Sequence, residues 1–320
     1  MTALKILVTG AGGFVGEALV FRLLAEREFS PVAALRGASR LCGLCPVVHF
    51  DLTNLKTLPP LDDVQVVIHT AARVHIMDEK SADALAEFRK VNVEGTLRLA
   101  KHAVKAGVKR FIFISTIKVN GETTGLGRPF TADDDPKPLD PYSISKYEAE
   151  LALTQLAKNS GMELVILRPP LVYGPRVKGN FLRLLNALRV GVPLPLGAIH
   201  NQRSLVSVEN LVSLIIHCID HPAAANQTFL VSDGEDLSTT QLARRLSKAL
   251  GNRAILLPVP EWCLNLLASI LGKKAAVQRI CESLQVDIGK NSELLSWAPP
   301  VSTDKALRRT ASFYQQELTK

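Results

Sequence analysis

The chain has 320 residues, of which 47% are hydrophobic and 21% are charged, and this composition excludes a disordered protein. Its length allows a sizeable core in one or two domains. The net charge is +8, but the basic residues are scattered without aromatic interleaving. This argues against nucleic-acid binding and fits an anionic small ligand.

No secretion signal or membrane span is predicted. A strand-like run begins at Lys5, without a signal-peptide pattern. The apolar stretch from Trp262 to Leu271 is too short to cross a bilayer. We expect it to pack in a core or a subunit contact, with membrane-surface association as a lesser alternative. The odd count of five cysteines fits reduced thiols, so we expect a cytoplasmic protein.

Cys42, Cys45 and His49 could be three ligands of a metal site. No second pair with zinc spacing follows them in the sequence. A loop with two incidental thiols is the preferred interpretation, and we predict no metal.

A glycine-rich turn near the start of the chain is predicted to bind a dinucleotide. Residues 5–9 have the pattern of a buried strand, and a helical apolar pattern follows from residue 19. Strand, glycine turn and helix in this order are the context that a dinucleotide fingerprint requires. Glycines let the backbone approach a pyrophosphate, and the helix N-terminus offers N–H donors. The residues with this role are Gly10, Gly13, Phe14, Val15 and Gly16.

The second predicted strand, residues 31–35, ends at Arg36. An NAD-preferring site usually has an acidic residue here, which holds the ribose 2′-hydroxyl. An arginine can instead pair with a 2′-phosphate and stack on adenine. Arg36 therefore predicts a preference for NADP(H). The alternative is that it only stacks on adenine and that both cofactors bind.

Two further strands are predicted at residues 47–52 and 64–70. The carboxyl ends of parallel strands border the ligand crevice, so the residues at these ends should face the cofactor. His69 lies inside an apolar run and is expected to be a packed core histidine. The residues expected at the crevice are Asp51, Leu52, Ala71, Ala72 and Arg73.

A long amphipathic helix is predicted from Ala82 to Ala106. Asn92 lies in its middle, where asparagine is unfavourable by propensity. Its amide either bridges backbone groups of adjacent strands or faces solvent.

A further helix is predicted from Asp140, a good N-cap followed by a proline, to about Gly161. Tyr142 and Lys146 are four residues apart and therefore share one helix face. A nearby ammonium would lower the pKa of the phenol from roughly 10. The phenol could then exchange a proton with an alcohol or carbonyl near neutral pH. Alone this spacing is weak evidence, and an ordinary surface helix is the alternative.

The fifth predicted strand, residues 110–116, ends in Ser115 and Thr116. Their hydroxyls could hydrogen-bond a substrate oxygen. A sixth strand is predicted at residues 163–167, and the alternation of strand and helix ends near Pro169.

The alternation predicts an α/β fold, a Rossmann doubly wound parallel sheet with a smaller and mostly helical substrate lobe. Residues 1–168 would form the dinucleotide-binding domain, with a return to the sheet around residues 203–232. Residues 169–202 and 233–320 would form the substrate lobe.

Together these motifs resemble the extended short-chain dehydrogenase/reductase family, the NAD-dependent epimerases and dehydratases of nucleotide sugars. The resemblance covers nearly the whole chain, and the order and spacing of its pieces agree. The pieces are Thr9-Gly10 with Gly13 and Gly16, Asp51-Leu52, Ala71-Ala72, Asn92, Ser115-Thr116, Tyr142 with Lys146, and Arg168-Pro169 through Tyr173-Gly174-Pro175.

The resemblance implies roles for the matching positions. Tyr142 would be the acid/base at the sugar oxygen, Lys146 would lower its pKa and hold the nicotinamide ribose, and Thr116 would orient the sugar oxygen. A homodimer through the helices that hold Asn92 and Tyr142 is also implied. Implied cofactor contacts include Ala71, Ala72, Arg73, Asn92 and Pro169. Implied contacts of a UDP-sugar are Ser115 and Thr116 with Tyr142, then Asn180, Arg203 and Arg279 at the diphosphate and Leu194 and Leu196 at the nucleobase.

Three departures from the family pattern decide between its reactions. Dehydratases place Asp and Glu after the threonine, where this chain has Ile117 and Lys118, so a dehydratase is not expected. Epimerases usually have tyrosine where this chain has Asn120. Arg36 suits an exchangeable NADPH, which a reductase needs and an epimerase does not.

The leading hypothesis is a 4-keto reductase of a UDP-4-keto-6-deoxy-N-acetylhexosamine, with a product of the UDP-N-acetylquinovosamine type. The chain is similar to proteins of O-antigen clusters, which places this reaction in surface polysaccharide synthesis. NADP(H) is slightly preferred over NAD(H). The alternative is a UDP-glucose or UDP-N-acetylglucosamine 4-epimerase. A non-catalytic dinucleotide-binding regulator is a remote alternative, which the intact set of Thr116, Tyr142 and Lys146 argues against.

Overall fold

Two sheets organise the protein in a computed structural model that describes residues 3–54, 57–74, 83–125, 127–270 and 274–319. In chain order the strands are β1 (Leu4–Thr9), β2 (Phe29–Leu35), β3 (Val47–His49), β4 (Val66–His69), β5 (Arg110–Ile114), β6 (Glu163–Arg168), β7 (Leu171–Tyr173), β8 (Arg203–Ser207), β9 (Gln227–Leu230) and β10 (Asp236–Leu237).

The larger sheet has seven strands in the order β3-β2-β1-β4-β5-β6-β9, and all neighbouring strands are parallel. This order reverses direction at β1 and β4, as in a doubly wound Rossmann sheet. Its central strands are continuous apolar runs because helices cover both faces. The predicted fold class is confirmed.

Helices cover both faces of this sheet and build the second lobe. In chain order the α-helices of the described residues are α1 (Phe14–Ala25), α2 (Ala84–Arg89), α3 (Thr96–Lys105), α4 (Pro141–Ser160), α5 (Gly179–Val190), α6 (Val208–His217), α7 (Thr239–Ala249), α8 (Glu261–Ile270), α9 (Lys274–Cys281), α10 (Gly289–Leu295) and α11 (Thr303–Leu318). Helices α1 and α6 pack in one core cluster, and α3 and α4 in the other. A third cluster joins α5, α7 and α11 in the second lobe.

The smaller sheet changes the predicted path of the chain. It has three strands in the order β10-β8-β7, so β8 does not return to the seven-stranded sheet as we predicted. Pro169 and Pro170 separate β7 from β6, and a proline cannot donate to a ladder. The chain leaves the large sheet here, and β8 pairs with β7 in parallel. Strand β9 does return, beside β6.

The predicted helix from Ala82 to Ala106 is helical over its described part, although Ala82 itself lies outside the described residues. It is not one α-helix, because a π-helical segment, Lys90–Gly95, joins α2 to α3. Single π-turns of this kind often occur at functional sites. This segment contains Asn92.

Helix α4 begins and ends as predicted. The side chain of Asp140 accepts a hydrogen bond from Ser143 N (2.6 Å), and Ser143 Oγ accepts one from Asp140 N (3.1 Å), which completes a capping box. Gly161 closes the helix with a φ of +74°. The cap fixes the start of the helix that carries Tyr142.

No helix in the described part of the chain is both long and apolar enough to cross a membrane. All five cysteines are free thiols. Among the described residues, no three His, Cys, Asp or Glu side chains are grouped to hold a metal, so Cys42, Cys45 and His49 form no such cluster.

The packing of α1 gives a direct stability test. Leu23 is fully buried, whereas the adjacent Leu24 is 38% exposed. Leu23→Ala should lower the free energy of unfolding by about 2–5 kcal/mol, because it leaves a cavity. Leu24→Ala should cost less than about 1 kcal/mol. Denaturant unfolding of both variants checks this, and equal losses would contradict the placement of the helix.

Candidate active site

The glycine-rich turn brings the start of α1 against the end of β1. Gly10 has a φ of +68°, which favours glycine, and its carbonyl accepts a hydrogen bond from Gly13 N (2.8 Å). A Cβ at Gly16 would lie 2.3 Å from the carbonyl oxygen of Gly10. Only glycine allows this approach, which sets the N-terminus of α1 beside the edge of the sheet. A helix N-terminus in this position suits a diphosphate.

A cleft of about 850 Å³ runs along this edge, past the carboxyl ends of β1 to β6. Its volume suits a large cofactor or ligand. It brings together most of the predicted cofactor-binding residues with three predicted catalytic or substrate residues. Those lining it are Gly10, Gly13, Phe14, Val15, Gly16, Arg36, Asp51, Leu52, Ala71, Ala72, Arg73, Ser115, Thr116, Tyr142 and Pro169.

Asp51 and Arg36 mark one end of the cleft. Asp51 Oδ1 accepts hydrogen bonds from Thr53 N (2.9 Å) and Thr53 Oγ1 (2.8 Å). The Thr53 backbone bond lowers the pKa of Asp51, and the nearby Arg36 charge lowers it further. Asp51 is thus held as a carboxylate, an acceptor suited to an amino group such as that of adenine.

Tyr142 lies at the other end of the cleft, and Lys146 follows it by one turn of α4. Tyr142 lines the cleft, while Lys146 is buried and donates a hydrogen bond from Nζ to the Ile114 carbonyl (2.7 Å). The Lys146 Nζ also lies 3.9 Å from the centre of the Phe113 ring. Within the described structure, no hydrogen bond joins Lys146 to Tyr142.

The charges of this pair differ from the prediction. Burial raises the pKa of Tyr142 well above its usual range, and Asp140 raises it further. Burial lowers the pKa of Lys146 to about 7, with Glu150 acting in the opposite direction. The pKa of Tyr142 is thus raised where we predicted a lowered value, because desolvation disfavours the charged form of a buried group.

The structure shows whether the Asn92 amide faces solvent or bridges other groups. Its side chain is 1% exposed, so it does not face solvent. It accepts a hydrogen bond from Arg73 N (2.8 Å) and donates to Arg73 O (3.1 Å) and to Ser145 Oγ (3.0 Å). It bridges the loop after β4 to α4, and so positions the cleft wall rather than lining it.

Ser115 makes a contact that the sequence did not predict. Its hydroxyl donates to the buried carboxylate of Glu150, on α4. That carboxylate also accepts from Arg168 Nη2 (2.6 Å) and Arg168 Nε (3.1 Å). We missed Glu150, although its position four residues after Lys146 placed it on the same helix face.

The departures at Lys118 and Asn120 have structural explanations. Lys118 Nζ pairs with Asp140 (2.5 Å) and Glu122 (3.0 Å), so it braces the N-cap of α4. Asn120 Oδ1 accepts from Arg168 Nη1 (3.0 Å), and Asn120 Nδ2 donates to a backbone carbonyl (2.9 Å). Asn120 is therefore a buried part of the Glu150–Arg168 network.

The remaining predicted substrate residues lie in the second lobe, outside the lining of this cleft. Asn180 is exposed at the start of α5. Arg203 donates to the carbonyls of Arg279 (3.1 Å) and Glu282 (2.9 Å), which brings the two predicted arginines together. Leu194 pairs through its backbone with residues 255 and 257. Leu196, two residues further on, is half-buried.

A comparison with protein families decides the classification. A sequence profile of the NAD dependent epimerase/dehydratase family matches residues 6–232. The chain belongs to this family. The predicted resemblance is confirmed, as is the prediction of an enzyme.

Individual relatives agree along the whole chain. A UDP-glucose 4-epimerase of Vibrio cholerae is 48% identical over 98% of this chain and 96% of its own length. The crystal structure of a Thermotoga maritima UDP-glucose 4-epimerase with UDP-glucose superimposes with a TM-score of 0.79 at 24% identity, over 98% and 100% of the two chains. A Bacillus cereus UDP-glucuronic acid 4-epimerase in complex with NAD gives 0.77 at 23% identity, over 98% and 99%.

The close contact at Gly16 predicts that a larger residue there weakens dinucleotide binding. Gly16→Ala should weaken dinucleotide binding at least about 100-fold, because the added Cβ pushes α1 away from the turn. Calorimetric titration with NAD and NADP, with circular dichroism to check folding, measures the effect. Gly37→Ala is the matched control, since Gly37 lines the same cleft and a Cβ there meets nothing within 4 Å. Normal binding by Gly16→Ala would contradict the proposed diphosphate position.

Proposed function

We propose that the protein is a UDP-sugar 4-epimerase that uses NAD(H), the alternative of the sequence analysis rather than its leading hypothesis. The observation that carries the proposal is that Thr116 and Tyr142 line the same cleft as the glycine-rich turn. The choice of epimerisation is supported by the 48% identical Vibrio cholerae relative, a UDP-glucose 4-epimerase. UDP-glucose is therefore the first substrate to test.

The cleft fits a dinucleotide by its own construction. The contact of Gly16 with Gly10 has no space for a Cβ and brings the N-terminus of α1 to the cleft, and Asp51 offers a fixed carboxylate at the far end. The NAD found in the Bacillus cereus neighbour supports the same cofactor class. The chemistry that a bound nicotinamide supplies is reversible hydride transfer at C4 of the sugar.

Three side chains would carry out the proton chemistry. Tyr142, acting as the phenolate, would take the proton from the C4 hydroxyl as this carbon is oxidised, and the resulting phenol would return that proton to the oxygen when the keto sugar is reduced on its other face. Thr116, buried just after β5, would hydrogen-bond the same oxygen and fix its position. Lys146, one helical turn after Tyr142 on α4, would supply the positive charge that stabilises this phenolate against the burial that raises its pKa.

The second lobe would hold the UDP group. Arg203 contacts the backbone carbonyls of Arg279 and Glu282. Arg203, Arg279 and Asn180 would bind the diphosphate together. Leu194 and Leu196 would contact the nucleobase. These assignments rest on the family resemblance and on the placement of the residues in one lobe.

A homodimer is also proposed. Leu151 on α4 is 53% exposed and presents an apolar side chain on the outer face of the helix. The salt bridge between Arg89 and Glu148 (2.6 Å) joins α2 to α4 beside it. These two helices together would form the subunit contact.

A second candidate function is the 4-keto reductase. Arg36 lines the cleft and no acidic residue stands at the end of β2, which favours a cofactor with a 2′-phosphate. A reductase would consume NADPH once per product, whereas an epimerase returns the hydride to the same molecule.

Nicotinamide absorbance during turnover separates the two candidates. The epimerase proposal predicts interconversion of UDP-glucose and UDP-galactose with no net change at the reduced-nicotinamide band. The reductase predicts loss of that band in proportion to UDP-4-keto-6-deoxy-N-acetylglucosamine supplied with NADPH. If only the second reaction occurs, the epimerase proposal is wrong.

Tyr142→Phe tests the proposed acid/base under either reaction. Turnover should fall at least about 1,000-fold, because the proton at the C4 oxygen has no acceptor. Affinity for the dinucleotide should stay within about threefold, since the hydroxyl is not needed for binding. Tyr147→Phe, on the same helix, is the control and should keep nearly full turnover. Comparable rates for the two variants would remove Tyr142 from the mechanism.

A further inference from the structure

A buried ion pair lies directly behind the proposed reaction site. Glu150 is 3% exposed and Arg168 is 5% exposed, and they pair through two hydrogen bonds of 2.6 and 3.1 Å. The Glu150 carboxylate also accepts a hydrogen bond from the hydroxyl of Ser115. Asn120 Oδ1 accepts a hydrogen bond from Nη1, the third guanidinium nitrogen of Arg168 (3.0 Å). Glu150 is thus tied to Ser115, directly after β5, and to Arg168, the last residue of β6, and Asn120 joins the network through Arg168.

Stability is a weak explanation for this network. Burying two charges costs several kcal/mol in desolvation, and well-packed apolar residues often stabilise a fold as much or more. The location is more informative. Ser115 directly precedes Thr116, and Arg168 directly precedes Pro169, and both of these following residues line the cleft. Glu150 therefore holds the ends of two strands in register with the reacting groups.

Glu150 also acts on Lys146, one helical turn before it. The groups that face Lys146 are Glu150 and Tyr142 on α4, and His69 on β4 with the Phe113 ring on β5. Burial and the Lys146 charge lower the pKa of His69 to about 3, so it is neutral near pH 7. Glu150 supplies the negative charge that opposes the effect of burial on Lys146.

We propose that Glu150 is a positioning residue for the epimerase site, which orders the Ser115–Thr116 segment and places a carboxylate one helical turn from Lys146. The proposal rests on the function assigned above. It assigns to Glu150 an effect on catalysis that is separate from folding, although Glu150 does not line the cleft.

The sign of the pH effect follows from the charges. The pKa of Lys146 is about 7, and Glu150 raises it. Loss of the Glu150 charge lowers it, so Lys146 deprotonates at a lower pH. The alkaline fall of kcat, where it reports loss of the ammonium, should then move to lower pH in a Glu150 variant.

Glu150→Gln tests the proposal, since glutamine keeps the shape and removes the charge. kcat should fall about 10- to 100-fold, with KM for UDP-glucose changed less than about threefold. The alkaline limb of kcat should move down by about one pH unit. A separate readout is the Lys146 Cε chemical shift in ¹³C-lysine-labelled holoenzyme, assigned by its absence in Lys146→Met. The midpoint of the pH titration of this chemical shift should fall by a similar amount.

Two controls separate this effect from folding. Glu148→Gln, on the same helix but in a partly exposed pair with Arg89, should leave kcat and the pH limb unchanged within about twofold. The double variant Glu150→Leu with Arg168→Met replaces the charge pair by apolar groups and should remain folded even where Glu150→Gln does not. It should stay slow and keep the lowered Lys146 midpoint.

Two results would overturn the proposal. One is a double variant with wild-type kcat and a wild-type pH limb, which would make the pair purely structural. The other is an unchanged Lys146 midpoint and kcat in Glu150→Gln. A wild-type protein with no epimerase turnover would refute the assigned function instead. The Lys146 titration would in that case still report whether Glu150 sets its charge.

Discussion

The need to cover both faces of a parallel sheet determines where chemistry can occur in this protein. Parallel strands must be joined by crossovers, and the crossovers place helices on both faces. The carboxyl ends of β1 to β6 therefore meet at one edge, and the chain's polar and reactive groups collect there. The close contact of Gly16 with the Gly10 carbonyl allows α1 to start at that edge. A bulkier residue at that position would displace the helix that borders the cleft.

Buried charge is the second feature of this edge. Lys146, Glu150 and Arg168 are each at most 5% exposed, within a few residues of the cleft lining. Such groups need partners, and here they partner one another and backbone carbonyls. The arrangement couples the protonation of Lys146 to a carboxylate that does not line the cleft. A reacting group can in this way be adjusted by residues that a substrate does not reach.

The departures from the family pattern fit the same network. A tyrosine at position 120 would not offer the amide oxygen that Arg168 uses here. Lys118 braces Asp140, the residue that caps α4, and so serves the helix of Tyr142 rather than a dehydration step. Lys118 and Asn120 thus both connect to α4, Lys118 through the N-cap Asp140 and Asn120 through the Arg168 partner of Glu150.

The sequence by itself determined the local elements and the cleft. Apolar runs, the glycine turn and the Asp140–Pro141 start placed nearly all strands of the large sheet, α1 and α4, because these signals act over a few residues. Most predicted cofactor residues follow from them, as strand ends share one edge. The tertiary structure alone decided the separate pairing of β8, the bridging role of Asn92 and the direction in which burial shifts the pKa values of Tyr142 and Lys146. Strand partners, burial and the Glu150–Arg168 pair join residues distant in sequence, and desolvation depends on everything packed around a group. A four-residue spacing fixes a shared helix face, but it cannot show which neighbour the ammonium will bind.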